Sequence, residues 1–208
     1  MKKTLLILLT IFTCAFLPAQ NSQSLESICT SLSSHPNTTG DFTQIKTLLT
    51  NGRKLKSSGK YIICPQGILW RTEKPVPSSL ILTEEAMVQI SANGNKSVMN
   101  GKDNQIFANI SETLSSVFSG DAAALKKNFY CDFSSEKNGD WKILLTPKDS
   151  TIAGVMKSLE LSGQMDKEAS MKELLMYEAS GNSISYVFEN QKYPEELSAD
   201  EKQNFVFN

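Results

Sequence analysis

Residues 61–70 of the chain read YIICPQGILW. Two apolar runs flank Pro65-Gln66-Gly67, and neither run alternates regularly between apolar and polar residues. Proline restricts φ and glycine accepts positive φ, so this tripeptide predicts a tight turn between two antiparallel strands. An antiparallel sheet with one face in water alternates apolar and polar residues. This hairpin therefore has apolar side chains on both faces, and each face needs cover.

Strand and turn patterns continue on both sides of this hairpin. Runs rich in apolar and β-branched residues are separated by turn signals such as Asn51-Gly52 and Ser180-Gly181-Asn182. Because the connections between these runs are short, antiparallel pairing is favoured. The predicted strands are 40–49, 55–58, 61–64, 68–72, 79–83, 87–91, 129–133, 141–146, 156–161, 171–178, 183–189 and 205–207.

Helical spacing of apolar residues predicts three helices, one before the first strand and two in the middle of the chain. Gly120 ends the second helix and Asp121 caps the third, which covers 122–127. This order of elements fits an α+β fold in which a few helices pack on one face of a sheet. The apolar positions are Leu25, Ile28, Cys29 and Leu32 in the first helix, and Ile106, Ile110, Leu114, Val117 and Phe118 in the second.

Residues 1–19 have the form of a secretory signal peptide. A short cationic start and an apolar stretch over 4–17 precede Ala19, the expected cleavage site, with Ala15 as the next choice. Residues 20–208 then form a single domain, long enough for a substantial core. The style of the signal predicts a periplasmic location.

Two other interpretations of the first residues are less favoured. A membrane anchor needs about 20 apolar residues, and this run is shorter. Lipid attachment at Cys14 would need a small residue just before the cysteine, and Ile11-Phe12-Thr13 fits that requirement poorly.

The charge balance argues against nucleic acid as a partner. The chain carries a formal net charge of −1, and removal of Lys2 and Lys3 takes away two positive charges to give −3. The sequence contains no basic stripe and no arginine cluster, which nucleic-acid binding would require.

The sequence shows no recognisable catalytic or metal-binding motif. His35 is the single histidine and precedes a proline, so it is interpreted as a surface or capping residue, and a zinc cluster is not expected. Cys29, Cys64 and Cys131 are interpreted as small buried apolar residues, with one disulfide left open as an alternative. The paired carboxylates Glu84-Glu85 and Glu195-Glu196 are assigned to solvated turns, so no enzyme activity and no cofactor are expected.

Two interpretations of the apolar residues remain from pattern alone. The helices could fill the sheet as an ordinary core, or sheet and helices could enclose a cavity. Core walls and cavity walls have the same periodicity, so the pattern does not choose between them.

Five short motifs occur in order along the predicted mature chain. They are GDFTQ at 40–44; GKYIICPQGILW at 59–70; KP at 74–75 with LILTEE at 80–85; LLTPK at 144–148; and FVFN at 205–208. Taken together, they resemble the LolA family of periplasmic carriers of outer-membrane lipoproteins, with GDFTQ similar to that family's early F-x-Q strand and GKYIICPQGILW similar to its hairpin. The ordered set covers nearly the whole mature chain, and the resemblance favours a cavity.

The resemblance implies an incomplete, strongly curved antiparallel β-barrel, or half-barrel, with helices closing its concave face. Acyl chains would lie between the sheet and the helices. The implied cavity lining is Phe42, Ile62, Ile68, Trp70, Leu80, Leu82, Val88 and Ile90. The implied lid residues are Ile106, Ile110, Leu114 and Phe118.

The resemblance also implies a non-enzymatic, monomeric carrier. Such a carrier binds acylated lipoproteins, receives them from an inner-membrane lipoprotein-releasing transporter and passes them to an outer-membrane acceptor. Three alternatives stay open: the same fold binding another lipid or hydrophobic ligand, a periplasmic sensor or interaction domain that docks a protein partner, and a hydrolase.

Two positions depart from the family pattern. The best-known members have an arginine just before the hairpin proline, which latches the lid by hydrogen bonds, and this chain has Cys64 there. A thiol is only a weak hydrogen-bond donor. The second departure is Glu84-Glu85, which stands where the family usually has an Asp-Gly turn.

Overall fold

The fold is described here from a computed structural model, for residues 23–100, 116 and 119–206. Four helices and eleven strands lie within these residues. The helices are α1 (Leu25–Leu32), α2 (Ala122–Asn128), α3 (Ser150–Ala153) and α4 (Ala199–Gln203). The strands are β1 (Thr38–Thr47), β2 (Lys54–Cys64), β3 (Gly67–Lys74), β4 (Ser78–Leu82), β5 (Ala86–Ile90), β6 (Lys96–Asn100), β7 (Phe129–Ser135), β8 (Asp140–Pro147), β9 (Met156–Met165), β10 (Ala169–Glu178) and β11 (Ser183–Lys192).

All eleven strands form one antiparallel sheet in the order β6-β5-β4-β3-β2-β1-β11-β10-β9-β8-β7. Two meanders, β1–β6 and β7–β11, meet where the first strand pairs with the last. The terminal strands β6 and β7 do not pair with each other, so the barrel stays open. The predicted α+β half-barrel is confirmed.

Aromatic rings lie over glycines of neighbouring strands on the concave face. A Cβ added at Gly40 would lie 2.8 Å from Cε1 of Tyr61, and one at Gly163 would lie 2.5 Å from Cζ2 of Trp141. Glycine lets the rings lie flat on the backbone, which permits tight bending of the sheet. Tyr61 and Trp141 are each 2% exposed, so the bends lie inside the core.

Helix α1 packs its apolar stripe onto the sheet as the spacing predicts. Ser24 caps the helix by accepting a hydrogen bond from the Ser27 amide, and Leu25, Ile28 and Cys29 are buried. The helix contacts β10 and α2. The helix is also joined to the sheet by a 2.7 Å hydrogen bond from the Ala169 amide to Oγ of the half-buried Ser31.

The convex face of the first meander is covered by the C-terminal segment, residues 193–206. Leu197, 5% exposed, packs into a second apolar cluster that is separate from the main core. Asn37 Nδ2 donates to the carbonyl oxygens of Pro194 and Glu195 at 3.2 Å and 2.9 Å. This segment supplies the cover that the apolar hairpin requires on its second face. The cluster consists of Ile62, Cys64, Leu69, Ile81, Val88 and Leu197, with Ile90 and Phe205 packed against it.

Several local predictions differ from the structure. The predicted terminal strand is wrong at Phe205 and Val206, which follow α4 in a turn because Leu197 and Phe205 pack on the convex face. Strand β6 and the short helices α3 and α4 were not predicted, because each is too short or too polar to show a period. The predicted signal peptide and the predicted lid residues Ile106, Ile110, Leu114 and Phe118 lie outside the described residues. Among the helices that are described, none is long and apolar enough to cross a membrane.

Candidate functional site

A cavity of about 440 Å³ lies on the concave face of the sheet. One wall comes from β3, β4 and β5, and the opposite wall comes from α3, β9, β10 and β11. The apolar lining is Ile68, Trp70, Leu80, Leu82, Met87, Ile152, Val155, Met156, Leu159, Leu174 and Met176. The polar lining is Gln44, Thr72, Ser78, Ser79, Gln89 and Tyr186.

The lining within the described residues contains no charged side chain. Burial of hydrocarbon in such a cavity contributes roughly 0.8 kcal/mol per CH₂ group. The volume falls in the range of pockets that enclose small organic ligands. The cavity is therefore suited to an apolar ligand whose buried part is neutral.

Four of the eight residues predicted to line a cavity do so: Ile68, Trp70, Leu80 and Leu82. Their positions follow from the register, since Ile68 pairs with Leu82 and Trp70 pairs with Leu80 across β3 and β4. Phe42 is 2% exposed and lies in the main core beside Tyr186, with ring centroids 6.0 Å apart. It supports the cavity floor without lining it.

Ile62, Val88 and Ile90 lie on the opposite, convex face, which corrects the predicted lining. The turn after β2 pairs Cys64 with Gly67, so an even-numbered residue on β2 shares its face with an odd-numbered residue on β3. Ile62 therefore lies beside Leu69, not beside Ile68. The same parity change in the β4–β5 hairpin pairs Ile81 with Val88 and Ser79 with Ile90.

The second wall of the cavity was not predicted from the sequence. It comes from α3 and the second meander, far along the chain from the YIICPQGILW hairpin. Strand β9 has apolar residues at the alternate positions Leu159 and Leu161, and β10 has them at Leu174 and Met176. This alternation predicts one buried face for each strand. The alternation does not distinguish residues that pack in the core from residues that line a cavity, because this depends on the curvature of the sheet. The missed apolar lining residues are Met87, Ile152, Val155, Met156, Leu159, Leu174 and Met176.

An ion pair lies next to the cavity on β1 and β10. Lys46, two residues from Gln44, contacts the Glu178 carboxylate at 2.8 Å. This hydrogen bond, with one from Asn182, holds the pKa of Glu178 below its ordinary value. Both charges are thereby balanced outside the lining.

The cysteines, His35 and Glu84-Glu85, for which the sequence predicts no catalytic role, lie away from the cavity lining. Cys29, Cys64 and Cys131 are free thiols, and burial raises the pKa of Cys29 to about 11. His35 Nε2 lies 2.9 Å from Glu168 and its ring stacks on Tyr193, a surface arrangement as predicted. Glu84-Glu85 is exposed in the turn between β4 and β5. Within the described residues no group of three or more potential metal ligands occurs.

A protein-family model matches most of this chain. The family model described as outer membrane lipoprotein carrier protein LolA matches residues 34–207. The chain belongs to the LolA family. No curated protein sequence matches it significantly.

Solved structures similar to this LolA-family chain are distant in sequence. A DUF1329 family protein from Desulfovibrio piger is 11% identical, with a TM-score of 0.49 over 84% of this chain and 92% of that one. A LolA superfamily protein from Nitrosomonas europaea is 7% identical, with a TM-score of 0.46 over 89% and 99%. The lipoprotein LppX from Mycobacterium tuberculosis is 10% identical, with a TM-score of 0.44 over 83% and 94%.

The position of the LolA-family latch arginine faces away from the cavity in this chain. Cys64 is 8% exposed and lies in the convex cluster, where its thiol donates to the Gly67 carbonyl oxygen at 3.5 Å. Arg71 contacts Asn204 of the C-terminal segment. Neither side chain lines the cavity.

Proposed function

We propose that this LolA-family protein is a non-enzymatic carrier that holds the acyl chains of a lipoprotein in its cavity. The observation that supports this most directly is the cavity of about 440 Å³ between the two meanders, with no charged side chain in its described lining. A lipid anchor with several acyl chains has too much apolar surface to cross water unprotected.

The proposed route runs between two membranes. The signal peptide, residues 1–19, directs the chain to the periplasm and is removed, which leaves a single domain over 20–208. The protein then acts as a monomer, receiving the lipoprotein from an inner-membrane releasing transporter and passing it to an outer-membrane acceptor.

Release requires that the bound state be only moderately favourable. We propose that a helical lid carrying Ile106, Ile110, Leu114 and Phe118 covers the ligand and swings away during transfer. Cys64 cannot latch such a lid as the family arginine does, because its thiol lies under the C-terminal segment.

A release assay tests the proposal. Purified residues 20–208 are added to spheroplasts that contain newly synthesised lipoproteins, and the supernatant is examined for soluble complexes. We expect a stable one-to-one complex with an acylated lipoprotein. A Val76→Glu variant should form the same complex, since Val76 is 61% exposed and does not line the cavity.

The other outcomes assign different functions. If no lipoprotein is released but mass spectrometry finds lipid in the purified protein, the cavity binds another lipid in place of a lipoprotein. Absence of release and of any bound lipid would contradict the carrier and favour a domain that docks a protein partner.

A further inference from the structure

Two polar side chains of the cavity lining, Gln44 and Tyr186, are neighbours on adjacent strands. Gln44 on β1 pairs with Tyr186 on β11, so both side chains point to the same face. Tyr186 is followed in the same row by Leu174 of β10. All three residues line the cavity.

The hydrogen bonds of Gln44 leave its amide nitrogen available. Gln44 Oε1 accepts a hydrogen bond from Ser57 Oγ at 3.2 Å, which orients the side-chain amide. Within the described part of the chain, neither Gln44 Nε2 nor the Tyr186 hydroxyl has a hydrogen-bond partner. Each group is therefore a donor placed at the wall of an apolar space.

The surroundings of Tyr186 keep its hydroxyl protonated and in place. Its ring packs against Trp70 and Phe42, with centroids 5.6 Å and 6.0 Å away. Burial raises the pKa of Tyr186 to about 12, so the hydroxyl stays a neutral donor near neutral pH. Tyrosine hydroxyls in apolar surroundings usually have a hydrogen-bond partner.

We propose that Gln44 and Tyr186 form a recognition site for the uncharged ester or amide carbonyl that joins an acyl chain to its anchor. This inference rests on the proposed acyl-binding function and adds the linkage chemistry. A carbonyl oxygen has two lone pairs and accepts two hydrogen bonds, which matches the two donors.

The same site disfavours an ionised fatty acid. Burial of a carboxylate without a paired cation is strongly unfavourable. The described lining supplies no cation, and nearby Lys46 is already bound to Glu178 at 2.8 Å. A neutral ester should therefore bind in preference to the free acid of the same chain length.

The test compares three ligands that share a chain of twelve carbon atoms: glyceryl monododecanoate, glyceryl monododecyl ether and dodecanoate. The ether lacks the carbonyl, and dodecanoate carries a charge at about pH 8. Affinities are measured by calorimetry for wild-type residues 20–208, Gln44→Leu and Tyr186→Phe. Gln203→Leu is the matched control, because Gln203 is exposed on α4 and does not line the cavity.

We expect the wild type to bind the ester at least tenfold more tightly than the ether or dodecanoate. Each cavity variant should weaken ester binding about fivefold and leave ether binding unchanged, and Gln203→Leu should match the wild type. Equal wild-type affinities for ester and ether would overturn this inference and leave the acyl-binding function intact. If none of the three ligands binds, both this inference and the proposed acyl-binding function are overturned. Tyr186→Phe keeps the test valid if Gln44→Leu does not fold, because it removes only a hydroxyl.

Discussion

The rings of Trp70 and Tyr186 lie 5.6 Å apart although their strands, β3 and β11, are three positions apart in the sheet. In a flat sheet three strand spacings would separate them by about 14 Å. The contact therefore measures how tightly the sheet curves. It closes the floor of the cavity and joins the two meanders around it.

A charge in the cavity wall should weaken acyl binding strongly. Leu80 is half-buried and pairs with Trp70 and Gln89, so Leu80→Glu places a carboxylate in the apolar lining at little cost to the core. An unpaired charge would be buried when hydrocarbon enters. We expect at least a tenfold loss of affinity for glyceryl monododecanoate, with an unchanged circular dichroism spectrum.

Val76→Glu provides the control for the charge itself, because Val76 is exposed between β3 and β4. It should bind as the wild type does. Wild-type affinity in Leu80→Glu with an intact fold would show that acyl chains do not occupy this cavity.

Removal of the Leu197 side chain should destabilise the protein without changing the cavity. Leu197 is 5% exposed and packs on the convex face against the cluster that includes Ile62 and Val88. A buried Leu→Ala substitution costs about 2–4 kcal/mol. We expect that loss in the free energy of unfolding measured with urea, with ester affinity unchanged.

Val206→Ala is the matched change on the same segment, because Val206 is 53% exposed and should shift the free energy of unfolding by less than about 0.5 kcal/mol. Equal unfolding midpoints for Leu197→Ala and the wild type would mean that the C-terminal segment does not stabilise the convex face.

The sequence predicted most elements of the fold because their patterns are local. The stripe of α1 and the antiparallel hairpins depend on periods and turn residues within about ten positions. The prediction placed four residues in the cavity lining where the structure has them, because even-numbered residues of β3 and β4 lie on the same face of the sheet. These residues are Ile68, Trp70, Leu80 and Leu82.

The remaining features depend on register and curvature. A two-residue turn reverses parity, which moved Ile62 and Val88 to the convex face. The wall formed by Leu159 and Leu174 meets β3–β5 only because the sheet bends, and no local period encodes this. The cover of the convex face comes from a polar tail whose single buried residue, Leu197, gives no periodic signal.

Cys64→Ser should leave lipoprotein release nearly unchanged. The thiol lies in the convex cluster and bonds to Gly67, so it has no contact with the cavity lining. Burial of a hydroxyl in place of the thiol should lower the free energy of unfolding by about 1 kcal/mol. Release from spheroplasts and urea unfolding measure the two effects separately.

Cys131→Ser serves as the comparison for a thiol in the second meander, and it should also release normally. A large release defect in Cys64→Ser alone would show that the thiol does take part in control of the lid.

Protonation of Glu178 should make the protein less stable at acidic pH. Its carboxylate accepts hydrogen bonds from Lys46 at 2.8 Å and from Asn182 at 2.8 Å, and these lower its pKa in the folded state. The unfolded chain therefore binds the proton first as pH falls below about 5. The stabilisation is fully present above the unfolded pKa and is lost as pH falls through the folded pKa.

Glu178→Gln should accordingly lower the free energy of unfolding near neutral pH and make its decline between about pH 5 and pH 3 shallower than in the wild type. Urea unfolding at a series of pH values measures both effects. Glu85→Gln, in the exposed turn between β4 and β5, is the matched control for the loss of one carboxylate. If the free energy of unfolding of Glu178→Gln instead declines in parallel with that of the wild type across this range, the hydrogen bond between Glu178 and Lys46 does not contribute to stability.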